Sequence, residues 1–219
     1  MNNIIMVDFD GTITKEDTCV SSLKEFATRD WKHIDEKWVA GELSTRQCSI
    51  ELYKLMDFDE ERLKSFLEDI EIDDYFVQFA QLCEEKGIDI YIVSDGFDYN
   101  IKTVLAKYGL DYLKQYSNGF RFDEGGNYSL TFPHENKDCG KCGTCKSNIF
   151  YNLKSKTDKI IYIGDGYSDR CVASKVDILF AKSYLAEYCD NEGIEYIEYE
   201  SFKDIIDYLK EFRERQESK

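Results

Sequence analysis

The chain has 219 residues, 42% hydrophobic and 15% aromatic, and its 44 acidic against 28 basic side chains give a formal net charge of −16. Such a composition excludes a disordered chain, and a field of this sign repels nucleic acid and anionic membranes, so neither is expected as a partner. A phosphate ligand would be repelled too, unless a metal ion or a local lysine reverses the sign inside its pocket.

The opening MNNIIMVDFD lacks the basic segment, long apolar run and cleavage site of a signal peptide. No apolar run approaches the roughly 20 residues that span a bilayer. A cytoplasmic protein with reduced cysteines is therefore the expectation. The first element is Ile4 to Val7, an apolar run too short for a helix, which reads as a buried strand ending at Asp8. From about Lys15 to Asp74 only helical spacing is visible, as at Leu63, Phe66, Leu67 and Ile70. Further short runs, Ile88 to Val93 and Ile160 to Ile163, predict strands ending at Ser94 and at Gly164-Asp165. Weaker ones lie at Ile178 to Ala181 and Tyr196 to Tyr199.

Between the strands, Ile101, Val104, Leu105 and Tyr108 mark one amphipathic helix; Phe202, Ile205, Ile206, Leu209 and Phe212 mark the last, with a solvated, charged end after Glu211. Residues 117–133 predict a β-hairpin turning at Gly125-Gly126. The pattern is that of an α/β protein, a Rossmann-like parallel sheet covered on both faces. Its core is expected over residues 1–14 and 75–219, with residues 15–74 an inserted helical cap. The aromatic residues Phe26, Trp31, Trp38 and Tyr53 are expected to pack that cap.

Three strand ends carry candidate chemistry, and ligands of open parallel sheets bind at such ends. DFDGT, Asp8 to Thr12, places two carboxylates two residues apart, and Gly11 lets the backbone turn so that both face one cavity. Asp8 could ligate a metal and attack phosphorus, and Asp10 could protonate a leaving oxygen; a turn with solvated aspartates is the alternative. GDGYSD supplies Asp165 and Asp169, hard oxygen donors suited to Mg²⁺, or else a helix cap from Ser168. Ser94, with the turn Asp95-Gly96, could cradle an anion with its hydroxyl and the following N–H groups, or serve only as a cap. An acidic pocket of this kind also requires a buried cation, and Lys146, opening KSNIFYNL, has the right place in the order.

DxDGT, the serine, the lysine and GDxxxD, in that order, resemble the haloacid dehalogenase superfamily of phosphatases from Ile4 to about Ala181. The insertion after the first motif resembles the helical cap of the phosphoserine phosphatase-like branch. The resemblance implies Asp8 as nucleophile, Asp10 as general acid/base, and Gly11, Thr12, Ser94, Asp95, Gly96 and Lys146 around the phosphate. It implies Mg²⁺ held by Asp8, Asp10 (through its carbonyl) and Asp165, with Asp169 as partner to that site. Asp17, nine past the nucleophile, is implied as a substrate or cap contact. FPH with the Cys-rich run into Lys146, GDGYSD and FAKSYLAEYC resemble the methionine-salvage enol-phosphate phosphatases. Phosphoethanolamine/phosphocholine phosphatases share the Cys-rich run and GDG. SDG stands here where both usually have SGG.

Cys139, Cys142 and Cys145, with His134 upstream, offer a Cys₃His set for Zn²⁺; a run of reduced thiols is the alternative. The expected ligand is a small-molecule phosphate ester. A phospho-accepting signalling domain, which also clusters aspartates and a lysine, and a phosphotransferase remain as other classes. Oligomeric state is unknown from the sequence.

Overall fold

A computed structural model describes residues 3–217, with side chains described as far as Glu211. Phe212 and the charged residues after Glu211 lie outside the described side chains. Seven strands form one sheet in the order β4-β3-β2-β1-β5-β6-β7. They are β1 (Asn3–Val7), β2 (Asp89–Phe97), β3 (Lys114–Phe122), β4 (Tyr128–Thr131), β5 (Lys159–Gly164), β6 (Ile178–Ala181) and β7 (Ile197–Glu198). Every pairing is parallel except that of β3 with β4.

β1 is central because both its faces are apolar. Ile5 and Val7 enter the core on one side of the sheet, while Ile4 and Met6 enter the core on the other, as the period of two requires. The first side is covered by α5 (Phe76–Glu85), α6 (Asp98–Ala106) and α10 (Phe202–Glu217), whose Phe202, Ile205, Ile206 and Leu209 are all buried. The second is covered by α7 (Lys146–Lys154), α8 (Arg170–Ala173) and α9 (Ser183–Glu192).

Four helices stand between β1 and α5: α1 (Thr18–Phe26), α2 (Lys32–Val39), α3 (Thr45–Tyr53) and α4 (Glu60–Asp69). Two chain segments meet at their base. Lys15 N donates to Glu71 O (3.0 Å), and Asp73 N donates to Ile13 O (2.8 Å). Start signals are local: Asp17 accepts from Val20 N, Asp59 accepts from Arg62 N, and Ser44 with Gln47 forms a capping box.

Two strands differ from expectation. β2 runs on past Val93 to Phe97 through an irregularity in its pairing with β3, so Ser94 sits within the strand and not after it. β7 is two residues long, because Tyr199 turns into the core on Phe202 instead of continuing the ladder.

Candidate active site

Strand ends β1, β2 and β5 converge, as the pairing of β1 with both neighbours demands. Asp8 follows β1, its N–H donating to Ile163 O of β5 (2.9 Å). Its carboxylate accepts from Phe9 N (2.7 Å) and lies 2.7 Å from the ammonium of Lys146. Burial, then the charge of Asp169, pushes its carboxyl well above the ordinary range, against the pull of Lys146.

Lys146 begins α7 and is fully buried, 2.5 Å from Asp169. Burial opposes its charge, but Asp169, Asp8 and Asp95 outweigh that and hold it protonated. Asp169 closes the arrangement from below. Its Oδ1 accepts from Lys146 and from the Tyr162 hydroxyl, and its Oδ2 accepts from Asp165 N (3.1 Å) and Gly166 N (2.9 Å). Asp165 accepts from the Thr12 hydroxyl at 2.6 Å. Burial and Asp169 push the Asp165 carboxyl up to about 6.

Asp8, Asp165 and Asp169 bring one carboxylate oxygen each within 4.8 Å of one another, and no other such group of three exists among the described residues. Three carboxylates against one buried lysine leave an excess of negative charge, which adds to burial in raising the carboxyls of Asp8 and Asp165. A hard divalent cation fits that donor set. Asp169 is the least free to ligate directly, since both its oxygens already accept two hydrogen bonds.

Asp10 faces the other way. Its Oδ1 accepts from Thr18 N (2.9 Å) and Thr18 Oγ1 (2.5 Å), and its Oδ2 lies 3.5 Å from the Ser94 hydroxyl. Burial and then the charge of Asp17 raise its carboxyl to about 7. A group poised there can hold or release a proton at neutral pH. Two glycines let the strands close on these groups. A Cβ on Gly11 (φ +73°) would lie 2.5 Å from Asp165 Oδ2, and one on Gly96 would lie 2.8 Å from Asp10 Oδ2.

Not every expected phosphate contact faces the cavity with its side chain. The Thr12 hydroxyl, buried, is committed to Asp165. Ser94 Oγ accepts from Gly96 N (2.9 Å). Asp95 turns to the loop before α7, where its Oδ1 accepts from Thr144 N (2.5 Å), and burial raises its carboxyl to about 6.

The four expected zinc donors do not converge. Cys139 is exposed, Cys142 lies beside Cys171, the Cys145 sulfur accepts from the Asn136 amide (3.8 Å), and the His134 ring packs edge-on against Tyr116, so no common group of these donors exists among the described residues. Lys141 O accepts from Thr45 N of α3 and Thr144 N reaches Asp95, two bonds that anchor the cysteine loop to distant elements, while Cys145 N donates to His134 O and holds those two backbones together. The loop thus fixes Lys146 through main-chain bonds.

Thr18, Tyr162, Thr144 and Asn118, which donates to Asp95 O (2.5 Å), escaped the sequence reading. Thr18 carried a faint signal, the N-cap pattern Asp17-Thr18. The others act across more than twenty residues or from inside a strand, where nothing in the local sequence marks them.

Above these groups lies a cavity of about 200 Å³ with Val20, Leu23, Trp31, Trp38, Leu52 and Tyr53 in its wall. Trp31 and Trp38 are only half-buried, so they line the cavity as well as packing the helices; Phe26 and Tyr53 are buried.

A parallel sheet with paired aspartates after its central strand, a buried lysine and a second acidic pair at the neighbouring strand end defines a phosphatase of the haloacid dehalogenase superfamily. Residues 3–183 match the family described as "Putative Phosphatase", and the chain belongs to that family. It is 33% identical over 97% of its length to the 2-hydroxy-3-keto-5-methylthiopentenyl-1-phosphate phosphatase of Bacillus pumilus, covering 94% of that protein. It is 31% identical over 96% to the enzyme of the same name from an Exiguobacterium species, covering 98%. Among solved structures, a phosphoserine phosphatase holding a phospho-aspartyl intermediate analogue superposes with a TM-score of 0.71 at 19% identity, over 94% of this chain and 98% of that one. The protein is thus a phosphoric monoester hydrolase, and phosphatases of this superfamily use Mg²⁺ and pass the phosphoryl group through an aspartate. Among the described residues no helix is long and apolar enough to cross a membrane.

Proposed function

We propose that the chain hydrolyses the enol-phosphate 2-hydroxy-3-keto-5-methylthiopentenyl-1-phosphate, with Asp8 as nucleophile and Asp10 as general acid and base. The observation that carries the chemistry is the division of labour between two carboxylates. Asp8 lies against Lys146 at 2.7 Å, while Asp10, raised to about 7, is held by Thr18.

In the first step an oxygen of Asp8 attacks phosphorus in line, and Asp10 gives its proton to the departing oxygen. In the second, Asp10 takes a proton from water, which attacks the phosphorus of the aspartyl-phosphate and releases Asp8 and inorganic phosphate. Splitting one slow displacement into two easier ones is the advantage of a covalent route. Mg²⁺, held by Asp8, Asp165 and the Asp10 carbonyl, with Asp169 acting through Lys146, would neutralise charge on the phosphoryl oxygens. Lys146, bound to Asp8, would offset the same charge from the protein side, and the Ser94 hydroxyl, 3.5 Å from Asp10 Oδ2, is a further candidate contact.

The helices of residues 15–74 act as a cap that excludes water and reads the leaving group. The substrate follows from the names of relatives matched over nearly the whole length of both chains, and from a wall rich in Trp, Tyr and Leu, which suits a thioether tail. No zinc has a part in this reading.

Phosphate release with Mg²⁺ tests it, across a panel of the enol-phosphate, phosphoethanolamine, phosphocholine and phosphoserine. The enol-phosphate should give the highest kcat/KM. A clear preference for another ester would replace the substrate and leave the chemistry, whereas full activity in Asp8→Asn would remove the chemistry.

A further inference from the structure

Among the described residues the cavity is lined by six aspartates, Asp8, Asp10, Asp17, Asp35, Asp95 and Asp165, and by no lysine, arginine or histidine. The buried cation Lys146 is not among the lining residues and is already bound to Asp8 and Asp169. Four of the six acids have a role: Asp8, Asp10 and Asp165 at the reacting centre, and Asp95 on Thr144 N. A fifth, Asp17, caps α1 through Val20 N.

Asp35 has none. It stands on α2, half-buried, and makes no hydrogen bond or salt bridge among the described residues. Its negative charge is nonetheless felt at this wall: after burial it raises the Cys48 thiol and adds to the raised carboxyl of Asp17, and it adds least to the Cys19 thiol, where burial, Asp17, Asp10 and Cys48 come first. Those three residues line the wall contributed by α1 and α3. The cavity therefore joins the reacting carboxylates to a wall from α1, α2 and α3 that carries Asp17 and Asp35 beside apolar and aromatic side chains.

We propose that Asp35 is a specificity-determining residue, a charge filter that rejects phosphomonoesters whose leaving alcohol carries a carboxylate and admits those whose leaving alcohol is neutral or cationic. In a part-enclosed cavity like charges repel more than in bulk water, because the effective dielectric beside a protein wall is lower. A carboxylate entering it meets Asp17 and Asp35 with no counter-ion, while a thioether or an ammonium does not. The inference rests on the phosphatase reading and adds which alcohols the site takes.

O-Phosphoethanolamine and O-phosphoserine differ by one carboxylate and supply the test, on the full chain with Mg²⁺ at low ionic strength. Their kcat/KM values, or where turnover is slow their inhibition constants against p-nitrophenyl phosphate, should favour phosphoethanolamine on the order of 10²-fold. Asp35→Asn should narrow that ratio about tenfold and weaken its dependence on salt, and Asp35→Lys should narrow it further. A purely structural role for Asp35 would lower both values together and leave the ratio alone. A wild-type ratio near one, or a ratio unmoved by both substitutions in variants of unchanged melting temperature, would overturn the filter. No hydrolysis of any ester by the wild type would overturn the phosphatase reading itself, a separate outcome.

Discussion

The ammonium of Lys146 lies 2.7 Å from the carboxylate of Asp8, and their side chains are 0% and 7% exposed. Neither could be held charged at that depth alone. Asp169, 2.5 Å from the same ammonium, makes the lysine a bridge between the nucleophile and the acidic pair after β5.

Lys146→Met should leave Asp8 and Asp169 without their cation. Breaking a buried pair in this way costs about 3–5 kcal/mol of stability, and losing the charge facing the phosphoryl oxygens should lower kcat about 10²–10³-fold. Urea unfolding and steady-state kinetics measure the two losses separately. A variant as stable and active as the parent would remove Lys146 from the site.

Asp10→Asn should lower kcat about 10²–10⁴-fold and leave Asp8 able to take up phosphate slowly from an activated ester. It should also change how stability depends on pH. In the folded chain the Asp10 carboxyl titrates at about 7, in the unfolded chain near 3.9. Between those values the folded state binds the extra proton, so metal-free wild-type stability falls as pH rises from about 4 to about 7 and is level above. Asp165 and Asp95, raised to about 6, add a fall of the same sign. Without Asp10 the fall should be shallower, visible as a gap between variant and parent melting temperatures that widens from pH 5 to pH 8 in EDTA.

Gly11→Ala should disturb Asp165 with no change in any charged group. The added methyl would stand 2.5 Å from Asp165 Oδ2, at a φ of +73° that L-residues resist. Calorimetric Mg²⁺ binding should weaken at least tenfold. Unaltered Mg²⁺ affinity would mean that Asp165 is not held by this turn.

Mg²⁺ itself should raise the melting temperature of the metal-free protein, because it binds the folded carboxylates and not the unfolded chain; at 100 times Kd the gain is about 2.7 kcal/mol. Asp165→Asn should abolish most of that gain. Exhaustive chelation of zinc from the Mg²⁺-loaded enzyme should leave melting and activity where they were, since Cys139, Cys142, Cys145 and His134 form no ligand group among the described residues.

The loop that carries those cysteines illustrates why a local spacing misleads. C-x₂-C-x₂-C puts three thiols close along the chain, but the main-chain bonds of Lys141 O to Thr45 N and Thr144 N to Asp95 Oδ1 turn the backbone between them. Both bonds join residues far apart in sequence. Ser94 gives the same lesson on a smaller scale: the apolar run stops at Val93, yet the strand continues to Phe97 because its pairing with β3 resumes at Asn118.

Short apolar runs ending in acidic residues determined, by themselves, that there would be a parallel sheet and that Asp8, Asp10, Asp165 and Asp169 would stand at its strand ends. That much is local, since strand burial and the turn after it are written in consecutive residues. Only the tertiary structure decided that Thr18 would hold Asp10, that Tyr162 and Lys146 would share Asp169, that the Thr12 hydroxyl would bond Asp165, and that Asp35 would enter the cavity wall. Those relations depend on how helices from distant parts of the chain pack above the sheet, and side-chain contacts of that range leave no period in the sequence to read.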